Sequence, residues 1–194
     1  LGFSAHAPLP KPSDWTLQQH QIPAYITEIN RLKESYRDKI ELFCGLEVDY
    51  IPNRMGPADK TVTDLSLDYI IGSVHTWEDP ETGNYFGIDG PATEFETVFH
   101  GIYNGNMKRL VRDYYKRIRE LLINHRPDIL GHFDLVKLRN RGDRYYSETD
   151  DWYREEVLQT VEELAAADSI VEVNTGGISR GKVDSFYPSN WIIE

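Results

Sequence analysis

The chain has 194 residues, 40% of them hydrophobic and 12% aromatic, with 32 acidic against 21 basic side chains and a formal charge of −11. That much apolar surface excludes a disordered chain, and the length suits one α/β domain without requiring a second. The acidic balance, with no basic stripe, argues against nucleic-acid binding, because phosphate backbones demand clustered Lys and Arg.

Five short β-branched and apolar runs read as strands, at 1–6, 40–48, 68–74, 129–133 and 169–173. Three longer segments carry helical spacing. In 23–37, Ile26, Ile29, Leu32 and Tyr36 form a stripe behind Pro23; 105–124 repeats it with Leu110, Val111, Tyr114, Ile118, Leu121 and Leu122; 147–167 opens on the capping sequence "SETD". Strands alternating with helices imply parallel strands with crossover connections, as a barrel or an open sheet. The stretches 52–66, 77–91 and 139–147 are polar, punctuated by Gly or Pro, and read as loops. The single cysteine, Cys44, excludes an internal disulfide and fits a reducing compartment; with no long apolar run and no charged-then-apolar leader, a soluble, cytoplasmic protein without membrane partners is expected.

Ionisable residues fall in a pattern. His6 closes the first run in "GFSAH", Glu47 lies near the end of the second in "LFCGLEVDY", His75 closes the third in "YIIGSVH", and His132 ends the fourth in "DILGHFD". The carboxyl ends of parallel strands share one face, so residues distant in sequence converge there. Three imidazoles and a carboxylate suit Zn, Mn or Fe, with the carboxylate able to bridge two ions. Taken singly, each also reads as a polar residue capping a strand. The fifth run enters a glycine-rich turn, "IVEVNTGGISRG", whose backbone N–H groups and Arg180 suit phosphate, or which is simply an exposed loop. Lys137 and Arg139, just past His132, are further candidates to neutralise an anionic ligand. An acidic pocket near Asp49 or Glu78 would suit a cation. No GxSxG, HExxH, P-loop or GxGxxG motif occurs.

Together "GFSAHAPLP", "GLEVDYIP", "DYIIGSVHTW", "ILGHFDLVKL" and "EVNTGGISRG" resemble the histidinol-phosphate phosphatases of the polymerase and histidinol phosphatase (PHP) superfamily, in the family's order and over nearly the whole chain. The resemblance implies a distorted (β/α)7 TIM-like barrel with up to three divalent ions, zinc, iron or manganese. It places His6, Glu47, His75 and His132 at metal positions, and Arg180 and Lys137 where the family holds substrate phosphate. The family's HxH and DxH patterns are absent, so residues 1–194 are expected to form a single but partial PHP-type domain lacking N- and C-terminal portions. The activity implied is hydrolysis of a small phosphorylated substrate, L-histidinol phosphate, with Arg180 on the phosphate. His6 is either a ligand or the acid that protonates the leaving group. The alternatives are another small phosphorylated metabolite or nucleotide, or a catalytically silent domain that binds.

Overall fold

A computed structural model describes residues 1–194. Five strands, β1 (Gly2–His6), β2 (Phe43–Asp49), β3 (Tyr69–Ser73), β6 (Ile129–Leu130) and β7 (Ile170–Val171), lie side by side in chain order, every neighbouring pair parallel. Parallel neighbours need crossovers, supplied by α1 (Ile22–Tyr36), α2 (Lys60–Thr63), α4 (Met107–His125) and α5 (Asp151–Ala167). All five expected strands form. The last two are shorter than expected because Gly131 and His132 turn the chain, His132 with a left-handed φ of 46°.

Two segments went unassigned in the sequence. Thr76–Glu78 (β4) and Tyr85–Gly87 (β5) pair as an antiparallel hairpin that begins one residue before the expected 77–91 loop and lies otherwise within it; three residues a side are too few for alternation to register. A short α3 (Ala92–Glu96) then runs into a π-turn at Thr97–Ile102. At the other helix, "SETD" does not form the first turn of α5. The Ser147 N–H donates to Asp150 Oδ2 (3.2 Å) in a turn before the helix, which begins at Asp151.

Strand alternation sorts β2. Leu46 and Val48 pack with Ala7, Ile22 and Val62, whereas Glu47 and Asp49 take the opposite face. Further along the same face α4 buries Leu110, Val111, Tyr114, Tyr115, Ile118, Leu121 and Leu122 against Trp77, Leu130 and Phe133, with Leu121 close to Gly72, the register partner of Val48. The register sets His6 beside Glu47 and Asp49 beside Ser73. A side chain at Gly131 would place its Cβ 2.3 Å from Ser73 Oγ, so glycine there keeps the Ser73 hydroxyl in position. No helix is long and apolar enough to cross a membrane, and Cys44 is a buried free thiol.

Candidate metal centre

At the carboxyl ends of the strands the four expected ligands meet around one carboxylate. Glu47 Oε2 lies 3.6 Å from His6 Nε2, and Glu47 Oε1 lies 3.5 Å from both His75 Nε2 and His132 Nδ1. Glu172, just past β7, brings Oε2 to 3.4 Å from His132 Nδ1. These separations are long for hydrogen bonds. They match donor atoms on the edges of a coordination shell, since an ion about 2.0–2.1 Å from tetrahedral N and O ligands leaves those ligands about 3.3–3.4 Å apart. His6 Nδ1 and His132 Nδ1 are buried with no hydrogen-bond partner, and a buried polar atom without a partner is costly unless something else satisfies it. The two oxygens of Glu47 face different imidazoles, which suits a bridge between two ions. The residues present fit a divalent transition metal, with donor groups from Glu47, His75 and His132 within 4.8 Å of one another.

The scaffold behind these ligands is specific. Ser73 Oγ donates to Glu47 Oε1 (2.8 Å). Asp49 Oδ1 lies 2.6 Å from His75 Nδ1, and Thr76 Oγ1 donates to Asp49 Oδ2 (2.5 Å), so the carboxylate fixes the ring and turns Nε2 toward Glu47. His132 is held from both sides: its N–H donates to Glu172 Oε2 (3.3 Å) and its carbonyl accepts from the Tyr114 hydroxyl (2.6 Å). A non-glycine residue at positive φ persists where surrounding contacts over-determine it. Asn174 Nδ2 lies 3.2 Å from His132 Nε2 and donates to Glu172 Oε1 (3.1 Å), while Asn174 Oδ1 accepts the Gly176 N–H.

Protonation follows from this packing. Burial would push His75 down, but the charge and hydrogen bond of Asp49, with Asp89 and Glu47 behind them, raise it to about 10. His132 moves the other way, lowered by burial and by the neighbouring His75. Burial works against the charge of Glu47, but the three imidazoles outweigh it and hold the carboxyl below its usual range. A metal taking His75 Nε2 therefore displaces a proton, and its affinity falls as pH is lowered.

The sequence-derived cations separate. Arg180 lines the same cavity as His6, Glu47, His75 and His132, a space of about 260 Å³, and is exposed at its rim. Lys137 does not join it. Only 5% exposed, its Nζ pairs with Asp134 Oδ2 (2.9 Å) and donates to Ser185 Oγ (3.0 Å), Ser189 Oγ (2.6 Å) and the Phe186 carbonyl, leaving no donor for a ligand. The expectation that Lys137 binds substrate is corrected on that ground. Glu78 is paired with Arg54 (2.8 Å) and Asp49 with His75, so neither offers a free carboxylate. Asn174, in the glycine-rich turn expected to face the cleft, lines the cavity too, together with Lys182, Asp89 and Glu172, which the sequence did not mark as site residues. The one available signal was Glu172, an acid at the end of the fifth strand like Glu47 in the second.

A family model described as the PHP domain matches residues 1–176. The chain belongs to the PHP domain family. A Deinococcus radiodurans protein named as a probable histidinol-phosphatase is 30% identical over 139 residues, which are 71% of this chain and 49% of that one. The histidinol-phosphatase of Bacillus subtilis is 26% identical over 208 residues, 100% of this chain and 75% of its own. This PHP domain thus spans about half the length of the first relative and three quarters of the second. Among solved structures, the candidate histidinol phosphatase hisK of Listeria monocytogenes superposes with a TM-score of 0.79 at 19% identity, covering 99% of this chain and 76% of that one. The histidinol phosphate phosphatase of Lactococcus lactis, crystallised with zinc, L-histidinol and phosphate, superposes at 0.66 and 22% identity, over 93% and 63%. At those identities the likeness establishes the α/β fold of the PHP domain.

Asp49 does not face the cavity as a ligand would; it aims one. Asp49→Asn is expected to weaken metal binding by about 10- to 100-fold, because the amide neither orients nor polarises His75 as the carboxylate does. Competition against a chromophoric chelator measures it, and unchanged affinity would contradict the assignment.

Proposed function

We propose that this PHP domain is a metal-dependent phosphomonoesterase that converts L-histidinol phosphate and water to L-histidinol and phosphate, a cytoplasmic step of histidine biosynthesis, using zinc, iron or manganese. The observation that carries the reading is the juxtaposition of Glu47, with an oxygen toward His6 and the other toward His75 and His132, and the cations Arg180 and Lys182 in one cavity. Relatives from two bacterial lineages bearing the histidinol-phosphatase name, and a fold neighbour holding zinc, L-histidinol and phosphate, support the substrate.

Hydrolysing a phosphate monoester requires bringing an oxygen nucleophile against a dianion. Bound divalent ions supply Lewis acidity that eases deprotonation of water and offsets charge on the phosphoryl oxygens. The protein does the rest. Glu47 fixes ligand spacing across the cluster, and Asp49 and Asn174 hold the His75 and His132 rings in place. Arg180 offers a planar fork to the non-reacting phosphate oxygens, a bidentate contact that Lys cannot reproduce, and Lys182 adds charge beside it. His6 faces Glu47 through Nε2 and serves as a ligand; as an imidazolium it would instead hand its proton to the leaving alkoxide.

The test is phosphate release by the purified chain, loaded in turn with zinc, manganese or iron, from L-histidinol phosphate and a panel of other small phosphomonoesters. The expected result is about two or more bound ions per chain and the highest kcat/KM on L-histidinol phosphate. Preference for another ester overturns the substrate, and metal near zero with no release overturns the enzyme in favour of a binding module.

A further inference from the structure

Each imidazole of the cluster needs something to fix its rotation, because a ring that turns about its bond to the chain carries its ligand nitrogen away from the others. His75 has Asp49 on Nδ1, and His132 has Asn174 beside Nε2. His6 has no such partner. Its Nδ1 is buried without a hydrogen bond, and its Nε2 approaches Glu47 only to 3.6 Å. Besides His75, with ring centroids 5.3 Å apart, what packs on the His6 ring is Trp15. The indole stands almost perpendicular to it, at 83° and 4.9 Å between centroids, and lies 6.4 Å from His75.

The rest of the chain is built to bring Trp15 there. Trp15 is the one exposed tryptophan of the four, at 46%, and it belongs to a loop rather than to a helix or strand. That loop leaves β1 at His6, runs through Pro8, Pro10 and Pro12, and returns so that the Leu17 N–H donates to the His6 carbonyl (3.0 Å). Two side chains close it further. Gln18 Nε2 donates to the Ser13 carbonyl (2.6 Å), and Lys11 Nζ donates to the Gly83 carbonyl (2.6 Å) and to Asn84 Oδ1 (3.1 Å) in the turn of the β4–β5 hairpin. The prolines restrict φ and leave the loop fewer alternative paths. A loop tied at three points thus lays one large side chain on one metal-binding ring.

We propose that Trp15 is a positioning residue for His6: it holds the imidazole with Nε2 toward Glu47 and keeps water off that side of the metal centre, as Asp49 and Asn174 hold the other two rings by hydrogen bonds. This rests on the metal centre of the phosphatase reading and not on the identity of the ester. An apolar wall beside a metal site limits solvent access, and a ligand ring that is already held in place loses less freedom when it binds an ion. Lys11 acts on Trp15 from a distance, as the tie between loop and hairpin.

The experiment measures Zn2+ affinity by competition with a chromophoric chelator for the wild type, Trp15→Ala, Trp15→Phe, Lys11→Ala, His6→Ala and the double variant of His6→Ala with Trp15→Ala, with the thermal midpoint of each metal-free chain alongside. Trp15→Ala is expected to weaken Zn2+ binding by about 10-fold, Trp15→Phe to recover most of that loss, and Lys11→Ala to cost about two- to threefold. With His6 already replaced, Trp15→Ala is expected to cost less than about twofold more, because a residue that acts only through His6 then has nothing left to act on. Co2+ is expected to quench the part of the tryptophan emission that Trp15→Phe removes. Unchanged affinity in Trp15→Ala, or the same loss with and without His6, overturns the role of Trp15. A wild type that binds no Zn2+ overturns the metal centre and this inference with it. Zn2+ affinity that depends on Trp15 through His6, in a chain that releases no phosphate from L-histidinol phosphate, upholds the role of Trp15 and overturns the phosphatase reading alone.

Discussion

Glu47→Ala is expected to abolish phosphate release and to strip most of the bound metal. The carboxylate is the one group whose two oxygens reach all three imidazoles, and it is buried at the centre of the cluster. Alanine leaves three rings with nothing to set their spacing and leaves the Ser73 hydroxyl without its acceptor. If metal ions provide several kcal/mol of transition-state stabilisation, their loss lowers turnover by about three orders of magnitude. Elemental analysis and phosphate release on the same preparation decide it; near-normal metal content with near-normal turnover would mean that the cluster is not the reaction centre. Glu47→Gln keeps the shape and removes the charge. It separates the two contributions, with metal lost in both variants if the charge is what binds.

Lys137→Ala should act on stability. Lys137 and Asp134 are 5% and 0% exposed, and removing one partner of a buried pair strands the other charge, at a cost of about 3–5 kcal/mol. Burial already raises Asp134 above its ordinary value, with Lys137 and Ser189 opposing the shift. Without the lysine that rise grows. The native state of the variant then holds a proton that the unfolded state releases, so its stability falls as pH rises through the range between the unfolded carboxyl value and the raised native one. Denaturant unfolding of the variant at several pH values, with the wild type alongside, shows the size and the sign. A variant as stable as the parent, but with a raised KM, would restore Lys137 to the substrate.

Much of the centre was legible along the chain. His6, His75 and His132 each close an apolar run and Glu47 lies near the end of another, and a parallel sheet gathers such ends on one face whatever its exact register. Asp49 was harder. It lies two residues past Glu47 on the same strand face, so alternation places it correctly, but nothing local says that His75 lies opposite. Strands of two residues, such as β6 and β7, give almost no period to read, and their pairing depends on neighbours 40 or more positions away.

What the sequence determined by itself was the α/β order and the roster of candidate metal ligands at strand ends, because both follow from local periodicity and the geometry of parallel crossovers. What only the tertiary structure decided was which charged groups remain free. Lys137 and Arg180 look alike as cations near strand ends, yet Lys137 is consumed by Asp134, Ser185, Phe186 and Ser189, while Arg180 opens on the cavity. Asp89 and Glu78 look alike as acids in a loop, yet Arg54 takes Glu78 and no cation takes Asp89. Hydrogen-bond saturation is settled by partners brought together from distant segments, and no window along a single sequence contains both halves of such a bond.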